Sequence, residues 1–200
     1  MNNPIPSDIA FTPAVKALQS ENGSRASYAR MERTTGWSTE VTSDLAGFLA
    51  QLDMFYLGTA NASGQPYIQY RGGPKGFLKV LDRHTLAFAD FGGNRQFIST
   101  GNLSENAKVF VFLMDYANQR RVKLWGTARV VTGDPELLAR LSDPSYDARP
   151  ERAIVITLEA WDANCPQHIH PRLLESEVAP LIESLQARIK VLEAQLAQTR

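Results

Sequence analysis

Apolar positions change period several times along the chain, and each change marks an element. In "TSDLAGFLAQLD" Leu45, Phe48, Leu49 and Leu52 recur at helical spacing, with Ser43 or Asp44 available as a cap, which predicts a helix. "MFYLGTA" and "QPYIQYR" are β-prone runs joined by "NASG", a hairpin signal. "GFLKVL", "TLAFADF", "KVFVFLMDY", "RRVKLWGTARVV" and "RAIVITLEAW" extend the series to about seven short strands with turn residues between several of them. Such spacing predicts an antiparallel barrel or sandwich rather than a parallel sheet. Two helices interrupt it. One is predicted over roughly residues 95–106; the other starts at "GDPELLARL", where Asp134 can cap and Pro135 takes the first helical position.

The two ends read differently. Residues 1–38 form an N-terminal arm with scattered aromatics and a poorly defined apolar face, expected to pack on a larger body. Residues 39–161 make up the barrel domain, residues 162–179 an irregular tail, and residues 180–200 a helix that can begin at Pro180. In that helix Ile182, Leu185, Ile189, Leu192 and Leu196 follow the 3, 4, 3, 4 spacing of a coiled-coil seam. The stripe packs either on its own barrel or on a second copy, and the spacing does not choose.

Composition narrows the function classes. With 200 residues and 44% apolar content, one domain with extensions can bury a core. Twenty-one basic side chains balance twenty-one acidic ones, so no global field recruits nucleic acid or an anionic membrane, and any anion site must be local. Uninterrupted apolar runs are far shorter than the ~20 residues of a membrane span. The lone Cys165 has no internal disulfide partner, and "MNNPIPSDIAF" lacks the basic start and apolar run of a secretory signal, so a soluble cytoplasmic protein is expected.

The stretch "FADFGGNRQFISTGNL" carries the first candidate site. Gly92 and Gly93 permit a tight turn, and Asn94, Arg95 and Gln96 then open a helix, a combination of backbone N–H groups and a guanidinium that suits an anion. A second basic set holds Gln69, Arg71, Lys75 and Lys79; a third holds Arg120, Arg121 and Lys123, of which Arg121 and Lys123 share a strand face. Unless the fold gathers them, these are ordinary solvated charges. Cys165, His168 and His170 could ligate a metal, but only His84 remains elsewhere, short of a four-ligand site, and no metal is expected. Trp125 and Trp161 lie at strand positions more often used for core than for stacking on a ligand.

The run from Phe55 to Val131, with "GGPKGFLKVLD" and "ADFGGNRQFISTGNL", and the later "WDANCPQHIHPR" resemble the FMN-binding split barrels of the pyridoxamine 5′-phosphate oxidase type, in a branch distinct from the true oxidases. The resemblance implies a mainly β protein with α additions: a six-stranded antiparallel Greek-key split barrel, peripheral helices and a long C-terminal helix. It also implies a homodimer with one FMN at each end of the subunit interface. The cofactor phosphate then falls to Arg71 or Lys79 with Arg95 and Gln96, flanked by Gln69 and Asn94, and the choice among Arg71, Lys75 and Lys79 stays open. Ala89 and Asp90 are placed beside the flavin ring or ribityl chain, Arg121 and Lys123 on the strand that meets the ring edge, and Gln167 near the flavin or the interface. The implied activity is an oxidoreductase passing electrons between a donor such as NAD(P)H and a small-molecule acceptor. The tail differs from the arginine- and histidine-containing end of the oxidases, so their substrate is not implied. A non-catalytic flavin-binding or sensor module, or a haem- or deazaflavin-binding barrel, are the alternatives; for haem the tail histidines would be the axial candidates.

Overall fold

The computed structural model describes residues 5–164 and 167–198. They fall into two compact units: one runs to Met114 and resumes at Arg121 through the last strand, and the other joins Asp115–Arg120 to the described residues beyond that strand.

The predicted hairpin forms the start of the sheet. Strand β1 (Met54–Ala60) pairs with β2 (Pro66–Gly72) from Met54 opposite Gly72 to Ala60 opposite Pro66. The others are β3 (Lys79–Val80), β4 (Thr85–Phe91), β5 (Lys108–Asp115), β6 (Arg120–Val131) and β7 (Pro150–Asn164). They join in one sheet in the order β2-β1-β5-β6-β7-β4-β3. Six long strands make the antiparallel Greek-key barrel, and the seventh, β3, has two residues. "GFLKVL" yields so little strand because Gly76 turns at φ 70° and Phe77 and Leu78 drop into the core at 3% and 4% exposure.

That short β3 leaves the barrel split. It pairs only with Leu86 and Ala87, so Phe88–Phe91 of β4 have no strand on that side and meet β2 through side chains alone. Elsewhere the interior is tightly filled. Phe55, Leu57, Val111, Leu113, Leu124, Ile154 and Ile156 are almost completely buried, and α3 (Ser43–Leu49) closes the barrel with Leu45, Phe48 and Leu49. Each such side chain contributes roughly 1.5–3 kcal/mol by burial. Thr42 caps α3 by accepting from the Leu45 N–H at 3.2 Å.

Two bulges bend β7. Trp125 lies opposite Ala160 but Gly126 opposite Leu158, leaving Glu159 as the extra residue. Only glycine fits here, since a Cβ on Gly126 would lie 2.2 Å from the Thr157 carbonyl oxygen. The second bulge follows Asp90: that residue faces Arg152, Phe91 faces Pro150, and Glu151 is squeezed out between them.

The N-terminal arm is more ordered than its pattern suggests. A 3-10 turn (Pro6–Ile9) leads to α1 (Pro13–Glu21) and α2 (Arg25–Thr34). The arm anchors through residues between helices: Phe11 packs on Trp37 at 5.1 Å, and Trp37 stacks on Trp125 at 4.6 Å and 16°. Helical periodicity could not show this, because the anchoring aromatics are not on the helices. Helix α4 (Ile98–Glu105) starts three residues later than predicted, α5 (Pro135–Leu141) is capped by Asp134 as predicted, and β7 continues into the segment expected to be irregular.

In the second unit α6 spans Glu175–Gln198 and begins before Pro180. The Leu174 N–H donates to Glu177 Oε2 at 3.2 Å and its carbonyl accepts from the Val178 N–H at 3.2 Å, a local cap that starts the helix early. Pro180 therefore lies inside it, at the cost of one intrahelical hydrogen bond. Gln119 Nε2 donates to the Ile169 carbonyl at 2.6 Å, and the Arg172 guanidinium lies 4.7 Å from the Tyr116 ring centre. Among the described residues no helix is long and apolar enough to cross a membrane.

Candidate functional site

The glycine turn after β4 sets the site's shape. Gly92 donates its N–H to the Arg149 carbonyl at 3.0 Å, and Asn94 Oδ1 accepts from the Gln96 N–H at 3.2 Å. Arg95 at φ 59° and Phe97 at φ 55° are both left-handed. For residues other than glycine this costs roughly 1–2 kcal/mol each, and it delays α4 until Ile98. Phe97 then occupies the cap position without a side-chain oxygen, so the first-turn N–H groups of α4 have no side-chain cap from it.

Around this turn the fold gathers a recess of about 70 Å³. Strand β2 supplies Tyr67, Gln69 and Arg71, β4 supplies Asp90, the turn Asn94, Arg95 and Gln96, α4 Ser99, and β7 Glu151 and Arg152. Arg71 Nη1 donates to Asp90 Oδ1 at 2.5 Å. Arg152, opposite Asp90 in the ladder, brings its Nε to 3.3 Å from Asp90 Oδ2, within ion-pair range but not aligned as a hydrogen bond. It also donates to Glu151. The Nε atoms of Arg71 and Arg152 are buried without a hydrogen-bond partner. Ser99 Oγ donates to Gln69 Oε1 at 2.6 Å. Three arginines against two carboxylates leave the recess net positive.

Next to it, sharing Arg71, lies a cavity of about 150 Å³ between the split edges, walled by Tyr70, Phe77, Phe88, Ala89 and Phe91. Arg71 also lies over the Phe88 ring at 5.5 Å, and Arg152 over Phe97 at 5.1 Å. Partial burial, and then the nearby Asp53 carboxylate, raise the Tyr70 hydroxyl above its ordinary pKa, so it stays a neutral donor.

A family model described as Pyridoxamine 5′-phosphate oxidase matches residues 41–165, the barrel that carries this recess. The chain belongs to that family. Among solved structures an FMN-binding protein from Syntrophomonas wolfei subsp. wolfei is similar at a TM-score of 0.51 and 14% identity, over 74% of this chain and 97% of that one. HupZ from Group A Streptococcus is similar at a TM-score of 0.50 and 18% identity, over 66% of this chain and 98% of that one. At such identities the likeness is one of fold. No curated protein matches the chain.

Within one family barrel, the expected residues separate into two groups. Gln69, Arg71, Asp90, Asn94, Arg95 and Gln96 come together at the recess, and Ala89 lines the adjoining cavity. Lys79 does not line either; on β3 its charge adds to the Ser145 hydrogen bonds that hold the Asp143 carboxyl below its ordinary pKa. Lys123 pairs with Asp162 at 3.0 Å and lies 5.6 and 5.4 Å from the Trp37 and Trp125 ring centres. Arg121 stands over Phe112 at 5.8 Å with its Nε buried and unpartnered. Neither lines the recess. Trp125 is stacked on Trp37, and Trp161 donates its Nε1–H to the Glu40 carbonyl at 2.8 Å.

Gln167, His168 and His170 belong to the second unit and are exposed there; Cys165 and the Asn164 side chain lie outside the described residues. Among the described residues no three His, Cys, Asp or Glu side chains are grouped to hold a metal. Sequence reasoning missed Arg152, Glu151 and Ser99. Ser99 could have been found as a second-position helix residue, but Arg152 enters only through the register of β7 on β4.

Proposed function

We propose that this chain binds FMN and acts as an oxidoreductase, passing electrons between a reduced donor such as NAD(P)H and a small acceptor. The observation that carries the reading is the recess at the barrel split, where two half-buried arginines with buried Nε atoms, a third arginine and a helix start converge. A phosphate monoester is near dianionic at neutral pH, and these are the groups that bind one. The recess has about 70 Å³, room for a group the size of a phosphate.

Arg95 and the first-turn N–H groups of α4 would hold the phosphate oxygens. Arg71 and Arg152 supply positive charge from behind, fixed in place by Asp90. Gln69 orients Ser99. The cavity beside Arg71, with Ala89, Phe77 and Phe88 on its wall, offers aromatic and aliphatic surface against which a planar ring could lie. When bound, FMN supplies the hydride and electron transfer, so the chain needs no nucleophile or catalytic acid of its own.

A homodimer belongs to this reading. An apolar groove of about 530 Å³ runs over β1, β2, β5 and β6, lined by Tyr67, Ile68, Phe110 and Trp125 with Ile9 of the N-terminal turn, and Ile68 is 69% exposed. Tyr67 borders both this groove and the recess, so a second copy seated on the groove would also cover the open side of the cofactor site.

The test is a visible spectrum of the purified protein, then titration with FMN and with riboflavin, then anaerobic mixing with NADH or NADPH. Flavin bands, a clear preference for FMN over riboflavin and bleaching by a nucleotide support the reading. Equal affinity for riboflavin would remove the phosphate site, a Soret band would replace flavin with haem, and tight FMN that no donor bleaches would leave a carrier instead of an enzyme.

A further inference from the structure

Helix α6 is 24 residues long and none of its residues is buried. Five of its apolar side chains nevertheless form one stripe, with Ile182 48% exposed, Leu185 55%, Ile189 54%, Leu192 42% and Leu196 65%; Leu181 flanks it and Val191 lies off it. Extended back to Val178, the stripe keeps strict heptad spacing, with Ile182, Ile189 and Leu196 at a and Val178, Leu185 and Leu192 at d. Isoleucine at a with leucine at d is the combination that favours a two-stranded parallel coil.

The flanking charges choose an orientation. In this frame Arg188 is a g residue and Glu193 is the e residue of the next heptad, the two positions that face each other across a parallel pair. An antiparallel pair would set g against g, where the chain offers Arg188 only Leu181, Gln195 and another Arg188. Of the remaining charges, Glu183 and Lys190 fall at b, on the outer surface, and Glu175 and Glu177 lie in the first turn, ahead of the stripe.

We infer that α6 forms a parallel two-stranded coiled coil with α6 of a second copy of this chain, locked in register by two Arg188–Glu193 pairs. Fewer than three heptads make a marginal coil in isolation. On this one point the inference rests on the barrel dimer proposed above, which raises the effective concentration of one helix for the other. The choice of partner and direction rests on the helix alone.

Cysteine cross-linking of the full-length protein tests it, in a Cys165→Ser background. Leu192→Cys puts a thiol at d near one end of the stripe, where it meets its own copy only in a parallel pair; Ala194→Cys puts one at f, away from the seam. Mild oxidation should link most Leu192→Cys chains and several-fold fewer Ala194→Cys chains. Arg188→Glu should lower the Leu192→Cys yield, and mixing that variant with Glu193→Arg, each carrying Leu192→Cys, should restore it in mixed pairs. Equal linking at 192 and 194, or a yield indifferent to the charge swaps, would overturn the proposal. Light scattering on the reduced protein separates the two readings: a dimer that does not link at 192 removes only the coil, whereas a monomer removes the barrel dimer as well.

Discussion

Arg71 of β2 and Asp90 of β4 meet at 2.5 Å across the split in the barrel, where no backbone ladder joins their strands. The same carboxylate faces Arg152, so one acid holds two guanidinium groups whose side chains are only 12% and 15% accessible. The contact ties the fold to the candidate chemistry, because the seam that must be closed is also the place where positive charge is collected.

Asp90→Asn should therefore destabilise the protein in the absence of cofactor. Breaking a fully buried pair costs about 3–5 kcal/mol, and the residual accessibility of these groups brings the expectation to about 3 kcal/mol or less. Denaturant unfolding measures it. Inorganic phosphate should recover part of the loss, and more in the variant than in the wild type, by binding the arginines left without their acid.

Arg95→Ala should weaken FMN by the loss of one charge-assisted contact, about 1.5–3 kcal/mol or roughly 10- to 150-fold. Riboflavin affinity should hardly change, since Arg95 is assigned to the phosphate. Fluorescence titration with both ligands checks the pair of outcomes.

Gly126→Ala should be costly, because the new Cβ would fall 2.2 Å from the Thr157 carbonyl oxygen at the β6–β7 bulge. A penalty of about 2 kcal/mol or more is expected, lowering Tm by roughly 4–8 °C in a chain of this size. Thermal unfolding followed by circular dichroism reads it.

Asp82 accepts from the His84 N–H at 2.8 Å, and that bond, followed by those from Thr85, lowers its pKa from 3.8. The folded value lies below the unfolded one, so its stabilisation is complete above pH 3.8 and is lost as pH falls through the lowered value. Asp82→Asn should flatten this part of the acid limb while leaving the slope above it unchanged. Unfolding midpoints in urea, taken from about pH 5 down to pH 2, give the comparison.

Local chemistry was legible in the sequence. The hairpin, α3 with its core face, the Asp134 cap and the polar glycine turn at Asn94–Gln96 all depend on residues a few places apart. Long-range geometry was not. Arg152 reaches Asp90 through strand register, and the bulge at Glu151 has no signature in the run "ARPERA". Lys79, Arg121 and Lys123 looked equivalent to Arg71 by type and spacing; only the fold shows that Lys123 is tied to Asp162 and two tryptophans. The start of α4 was misplaced because left-handed backbone at Arg95 and Phe97 is a property of the folded turn that helical spacing cannot express.

The double hold of Asp90 on Arg71 and Arg152 bears on how the site would respond to its ligand. Two of its three cations are immobilised before anything binds, so their ordering entropy is met during folding rather than at the moment of association. Arg95, exposed on its turn, is left as the one guanidinium with freedom to lose. Arrival of a phosphate would thus settle a single side chain onto a finished frame.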